Sequence, residues 1–291
     1  MKKFLLVAVA ALAVVACKKD DDNNGGEQPA PAVKADQGSV PTTVDFTYPK
    51  STVMTDSYGS VTTVSYTVSN KLLTNIKVES GSRVEEFKLR YNADKYLTSI
   101  ESGASDVLTY SYNNKGQIVG VSGKVTGNTY SRTLEYNAQG KLTKIIQREG
   151  DNRWPDNHDI TIDYSVANQV KVVDEWLSRS NVSTSTYKLD AKGNILKKFD
   201  ENAITTYSDY DDKVNIRSKS PFNFFDKYGN FRVYGDVHNF LHSTNNPRKE
   251  TFSARGSETT VTTHEYSYQN NLVTKNITVL GTSTTTTTYN Y

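Results

Sequence analysis

The chain has 291 residues, 36% of them hydrophobic and 11% aromatic, with 19 Tyr, a single Cys and a formal net charge of +2. Lys2 and Lys3 account for that surplus, and the neutral remainder, with both signs interspersed, argues against a nucleic-acid partner. One cysteine excludes an intramolecular disulfide.

The first stretch, MKKFLLVAVAALAVVAC, sets two lysines before an apolar run from Phe4 to Ala16. The run is too short for a permanent membrane helix and suits the hydrophobic region of a secretory signal. It closes with Val14-Val15-Ala16-Cys17, which resembles the lipobox of bacterial lipoproteins. There the small residue before the cysteine admits the signal peptidase and the thiol receives the lipid. The resemblance implies that residues 1–16 are removed and that Cys17 carries the lipid holding the chain to the outer membrane. An ordinary signal peptide that contains Cys is the competing reading.

Residues 17–43 follow Cys17 with KKDDDNNGGEQPAPAVKADQGSV and little else. So few bulky apolar groups cannot order a segment, and the composition reads as a tether. At about 3 Å per residue it reaches several tens of ångströms. Lys19 with Asp20, Asp21 and Asp22 resembles the export signal of Bacteroidetes lipoproteins, which implies display at the cell surface. A plain solvated spacer on a periplasm-facing protein is the alternative.

The body, residues 44–291, reads as a single all-β repeat domain. An anchor Tyr, Leu or Phe is followed six residues later by Leu, Ile, Val or Phe. The frame occurs at Tyr66–Leu72, Tyr91–Leu97, Tyr112–Ile118, Tyr136–Leu142, Tyr164–Val170, Leu189–Ile195, Tyr210–Ile216, Phe225–Phe231 and Tyr266–Leu272. Between the anchors stand turns such as NNKGQ, NAQGK and DAKGN, with Gly or Asn where a left-handed residue is needed. Gly116, Gly140, Gly193 and Gly229 fill that role; Lys95 replaces Gly in one copy and makes its turn less secure. The segments between turns alternate: in SRTLEY, Arg132, Leu134 and Tyr136 share one side and Ser131, Thr133 and Glu135 the other. Such patterning predicts half-buried strands, roughly fourteen to eighteen of them, in an up-and-down antiparallel sheet. A sheet of that width closes into a barrel or curls strongly.

The Y-N-x-x-G-x-L-x-x-I frame resembles the YD repeats of RHS-type proteins. Signal, acidic tether and repeats together resemble a Bacteroidetes lipoprotein family of unknown function with a porin-like fold. YDDKVNIRSKSPFNFF (210–225) and LHSTNNPRKE (241–250) are similar to its late segments. The resemblance implies a large barrel and transfers no catalytic residue. A transmembrane barrel needs an outward apolar band; the final TSTTTTTYNY offers Thr284, Thr286, Thr288 and Asn290 on one face and Thr285, Thr287, Tyr289 and Tyr291 on the other. A water-soluble barrel is therefore expected, with a transmembrane one as the alternative.

Sites are sparse. His238 and His242 stand four apart without an obvious third metal ligand, and Asp209-Asp211-Asp212 and Asp156-Asp159 lack calcium-loop spacing, so no metal and no cofactor are expected. Neither a G-x-S-x-G elbow nor a phosphate-binding glycine loop is present. The candidates for ligand contact are Trp154, in the long loop DNRWPDNHD, Trp176, on a predicted strand, and Tyr228, in an aromatic-rich stretch with Phe222, Phe224 and Phe225. The preferred reading is a non-enzymatic, surface-anchored lipoprotein that binds a glycan, peptide or protein partner. A hydrolase of an extracellular polymer, using carboxylates gathered by the fold, is the second, and a purely structural role in the envelope the third.

Overall fold

The computed structural model describes residues 47–103, 106–125, 127–150, 157–219 and 242–291. The signal, Cys17, the tether, Trp154, Tyr228, Gly229 and the Phe222–Phe225 cluster lie outside the described residues.

The body opens with β1 (Ser51–Thr55), β2 (Val61–Ser69), β3 (Leu72–Ser80), β4 (Arg83–Tyr91), β5 (Leu97–Ser102) and β6 (Asp106–Tyr112). It continues through β7 (Ile118–Val125), β8 (Asn128–Tyr136), β9 (Leu142–Glu149), β10 (His158–Asp163), β11 (Gln169–Trp176) and β12 (Asn181–Leu189). The last are β13 (Ile195–Asp200), β14 (Ala203–Ser208), β15 (Lys249–Ala254), β16 (Thr260–Gln269), β17 (Leu272–Leu280) and β18 (Ser283–Asn290). Each pairs antiparallel with its neighbour in sequence. β1 closes the ring on β18, with Thr52 opposite Tyr289 and Met54 opposite Thr287. The result is a closed 18-stranded antiparallel barrel. Closure leaves no edge strand to template aggregation.

The six-residue frame is the unit that builds it. In the copy at Tyr136, the Asn137 amide donates to Lys141 O (2.9 Å) and the Gly140 amide to Asn137 O (2.9 Å). The Asn137 side chain accepts from the Lys141 amide at 2.9 Å. Asn113 and Asp190 hold their turns through the same amide-to-side-chain bonds. The fourth residue after the anchor is left-handed in each of these copies, at Gly116 (φ 73°), Gly140 (78°) and Gly193 (85°). Asn168 (55°) and the non-glycine Lys95 (67°) take the same conformation in theirs. A register shift just before the anchor, as between Glu135 and Tyr136, lets Tyr136 face Leu142 across the turn. The hairpins around Asn70-Lys71 and Asn270-Asn271 use tighter two-residue turns, both residues left-handed.

Tyrosine then knits one hairpin to the preceding one. The hydroxyl of Tyr91 donates to Leu73 O (2.8 Å), Tyr112 to Leu97 O (2.7 Å), Tyr136 to Ile118 O (2.8 Å) and Tyr210 to Ile195 O (2.5 Å). The rings of Tyr91, Tyr112 and Tyr136 are packed on the apolar wall while each hydroxyl satisfies a strand-end carbonyl.

Alternation runs as expected. On β8, Tyr130, Arg132 and Leu134 are buried and Thr129, Ser131, Thr133 and Glu135 exposed. From β2 to β12 the inner face is an apolar wall around Phe87, Leu73, Ile76, Leu97, Ile118 and Ile145.

The copy at Tyr210 departs from the hairpin expected there. Asp211 is drawn aside: its carboxylate accepts from Asn246 and from the hydroxyl of Tyr268, while Lys213 N still donates to it at 3.0 Å. Val214 instead bridges Asn245, and a 3₁₀ turn follows at Ile216–Lys219. Buried Asn194 binds Asn245 twice, at 2.8 and 3.2 Å, and Ser243 accepts from Ile195 N at 3.0 Å. These bonds pin the two ends of the insertion to the β12–β13 turn.

Two consequences are measurable. Lys95→Gly relieves a left-handed lysine and is expected to stabilise the barrel by ~1 kcal/mol, read as a higher urea midpoint. Gly123→Ala should lower it, because an added Cβ would stand 1.8 Å from the Val107 carbonyl oxygen. Alkali is the second lever. Burial pushes the Tyr210 hydroxyl from its ordinary 10.0 up to about 12. Burial likewise raises Tyr91, Tyr112 and Tyr207. The unfolded chain therefore loses these protons first, so stability is intact below pH 10 and declines as pH rises through the folded-state values. The share of tyrosinate absorbance that comes from these buried side chains should then grow together with loss of the β-sheet circular dichroism signal, instead of preceding it.

Candidate binding wall and the end around Trp176

The barrel has two dissimilar ends. The near end holds the anchor turns, the insertion after β14 and the start of β1, where Lys50 donates to the Tyr291 carbonyl oxygen at 3.0 Å. The far end holds the other turns, including those after β9 and β11.

Trp176 ends β11 at the far end and pairs with His158 of β10. Their rings meet edge-on at 4.4 Å. Asp174, two residues back on the same face, receives both: His158 Nδ1 at 2.7 Å and Trp176 Nε1 at 3.2 Å. An ionised carboxylate only accepts, so His158 carries a proton on Nδ1. The Arg179 guanidinium lies 4.7 Å from the centre of the indole ring, and the Arg179 amide donates to Trp176 O at 3.2 Å. Asn157 secures the neighbourhood, its carbonyl accepting from Leu177 N (3.0 Å) and its side chain from Glu149 N (2.8 Å). The half-buried indole is thus held in one orientation at the barrel mouth.

Pairing carries the polar row inward. Gln147 of β9 stands between His158 and Arg132 of β8, so Arg132, Gln147, His158 and Trp176 lie side by side on four successive strands. Arg132, Gln147 and His158 are 6%, 4% and 6% exposed. Arg132 donates to Gln147 Oε1 through Nε at 2.7 Å, and Tyr130 donates to the same oxygen at 3.4 Å.

A second polar wall follows on β16 to β18. His264 stacks on Tyr266 (6.1 Å, 20° between planes), Tyr266 stands 6.2 Å from Tyr268, and His264 Nδ1 meets Thr278 Oγ1 at 3.0 Å. These inward side chains are half-buried, whereas their outward neighbours Val261, Thr263, Glu265 and Ser267 are exposed. The alternating aromatics of HEYSY signal this stripe in the sequence; the row through Arg132 carries no such signal.

Of the expected ligand contacts, the described residues include Trp176; Trp154 and Tyr228 lie outside them. His242 is half-buried, and His238 lies outside the described residues. Asp211 is spent on Asn246 and Tyr268, and Asp159 pairs with Arg148 at 2.7 Å. No group of metal-binding side chains occurs among the described residues. Inward carboxylates have local partners: Asp200 accepts from Ser185 Oγ at 2.5 Å and pairs with Lys198 at 2.9 Å. Glu250 lies opposite Tyr207, and burial raises its pKa above the ordinary value.

No protein-family model and no curated protein matches the chain. Among solved structures it is similar to a porin-like protein from Bacteroides uniformis, at 19% identity and a TM-score of 0.49, over 87% of this chain and 99% of that one. A porin-like protein from Bacteroides vulgatus aligns at 12% identity and a TM-score of 0.46, over 84% of this chain and 99% of the other.

Asp174→Ala leaves the Trp176 N–H and His158 without their shared acceptor, and is expected to cost about 1–3 kcal/mol in urea unfolding. In a Trp154→Phe background, Trp176 emission should shift to the red as the indole is released.

Proposed function

We propose that the chain is an outer-membrane lipoprotein, held through lipid on Cys17 and displayed at the cell surface, whose barrel is a non-catalytic binding module. Its far end takes a glycan or peptide. The observation that carries this reading is the indole of Trp176, fixed by Asp174 and flanked by the Arg179 cation at the barrel mouth. An aromatic face beside a cation and amide groups suits stacking on a sugar ring or a peptide side chain.

The outward polarity of β8 and β16 favours a water-soluble barrel over a transmembrane one. The hydrolase reading is weaker because Asp174, Asp200 and Asp211 are each tied to neighbouring donors.

Glycan and peptide arrays probed with the unlipidated chain should return ligands that Trp176→Ala loses. Retention of every ligand by that variant would remove Trp176 from the site, and empty arrays would count against a binding module. Separately, Cys17→Ala should move the protein from the membrane to the soluble fraction of cells; persistent membrane behaviour would reject the lipid anchor.

A further inference from the structure

Charge is distributed unevenly along the barrel. With each strand divided at its midpoint, and leaving aside the central Arg132 and residues 216–219, the near half and its turns carry 16 Lys and Arg against 9 Asp and Glu among the described residues. The far half carries 7 against 13. The anchor turns supply part of that surplus through Lys71, Lys95, Lys115, Lys141 and Lys192, all of them exposed. Among the described residues none of the five belongs to an ion pair; Lys141 alone has an aromatic partner, the Tyr164 ring at 5.0 Å. Cations of the far half are instead neutralised locally, as in Lys77–Glu79 (2.8 Å), Arg83–Glu85 (2.9 Å) and Arg148–Asp159 (2.7 Å). The five lysines stand in the near-end turns after β2, β4, β6, β8 and β12, and Lys50 leads into β1 at the same mouth.

We infer that the near end is a docking face for an anionic lipid surface. Compact, strongly hydrated ammonium groups on turns match phosphate headgroups as point charges and need no pocket. The end that meets the lipid is also the end from which the chain leads back toward Cys17. Anchor and basic face would therefore act together, in the way that one acyl chain plus a basic patch binds more firmly than either. The far end, acidic and carrying Trp176, then points away from the bilayer. This setting rests on the anchor proposed above, but the charge placement does not.

Every strand of the closed sheet lies within Ser51–Asn290, so residues 18–291 retain the whole barrel and can be tested without lipid. The probe is sedimentation with vesicles of phosphatidylcholine, with or without phosphatidylglycerol at about one lipid in three. Binding is expected to the anionic vesicles alone and to fade at high salt. A near-end variant, Lys71→Asn, Lys95→Gly, Lys115→Gln, Lys141→Gln and Lys192→Gln, should bind at least about tenfold more weakly. A far-end variant losing the same charge, with Lys77, Arg83, Lys124, Arg179 and Arg255 each changed to Gln, should bind like wild type. Circular dichroism confirms the fold of each. Absence of binding at low salt, equal binding to neutral vesicles, or equal loss in both variants would overturn the inference. None of these outcomes bears on Cys17, whose role is decided by the fractionation of Cys17→Ala cells.

Discussion

A tyrosine that turns its ring into an apolar wall must still place its hydroxyl, and in this barrel the solution fixes the spacing of everything else. Tyr112, Tyr136 and Tyr210 each reach the carbonyl of the residue that follows an earlier turn, and Tyr91 that of Leu73, one residue further on. That bond joins neighbouring hairpins beyond their ladder hydrogen bonds, as Gln117 also does by donating to Gly140 O at 3.0 Å. It can form only if anchor and partner face inward together, which the five-residue turn and its bulge guarantee. Lengthening a turn by one residue would send the tyrosine outward and leave the carbonyl bare. The six-residue frame is therefore a geometric requirement written into the sequence, and a side-chain amide or carboxylate (Asn113, Asn137, Asp190) organises the turn at its start.

This is also why the architecture was legible before any coordinates. Period two gave the faces, as in Arg132, Leu134 and Tyr136 against Ser131, Thr133 and Glu135, and left-handed positions gave the turns. Closure itself was less visible: β18 is nearly all threonine, either face looks alike, and only its pairing with β1 shows which one turns inward. The row Arg132, Gln147, His158 and Trp176 was hidden for a different reason. Each member comes from a separate strand, at separations set by turn lengths, so no sequence spacing marks it. Trp176 stood out by residue type, whereas Asp174, which positions it, looked like any strand aspartate. The hairpin expected after Tyr210 failed because its aspartate found better partners 35 and 57 residues away, in Asn246 and Tyr268.

The inner surface is divided as sharply as the two faces of each strand. Along β2 to β12 it is mostly aliphatic and aromatic and almost fully buried, interrupted by the polar row Arg132, Gln147 and His158. Along β16 to β18 it is built from hydroxyl, amide and imidazole groups, and remains half-exposed. A ring of many strands is wider than the few side-chain layers that fill an eight-stranded barrel. Apolar side chains on one arc can close on one another, whereas threonine, asparagine and tyrosine on the other tolerate water. Polar groups that would be costly in a dry core are placed where hydration remains possible.

Separation of charge between the ends follows from the same repeat. Lysine recurs in near-end turns, at the left-handed Lys71 and Lys95 and beside the left-handed Gly116, Gly140 and Gly193, where the side chain is exposed. Far-end strands instead place opposite charges two apart on one face, as in Lys77–Glu79 and Arg83–Glu85, where they offset each other locally. Exposed pairs of this kind contribute little to stability, so their effect is on the field around the far mouth. Strands of eight residues hold the two ends about 25 Å apart, well beyond a screening length of about 8 Å in physiological salt. The ends therefore present their charges independently: altering the lysines of one mouth leaves the field at Trp176 nearly unchanged, and a single rigid wall can carry a basic face and an acidic one at once.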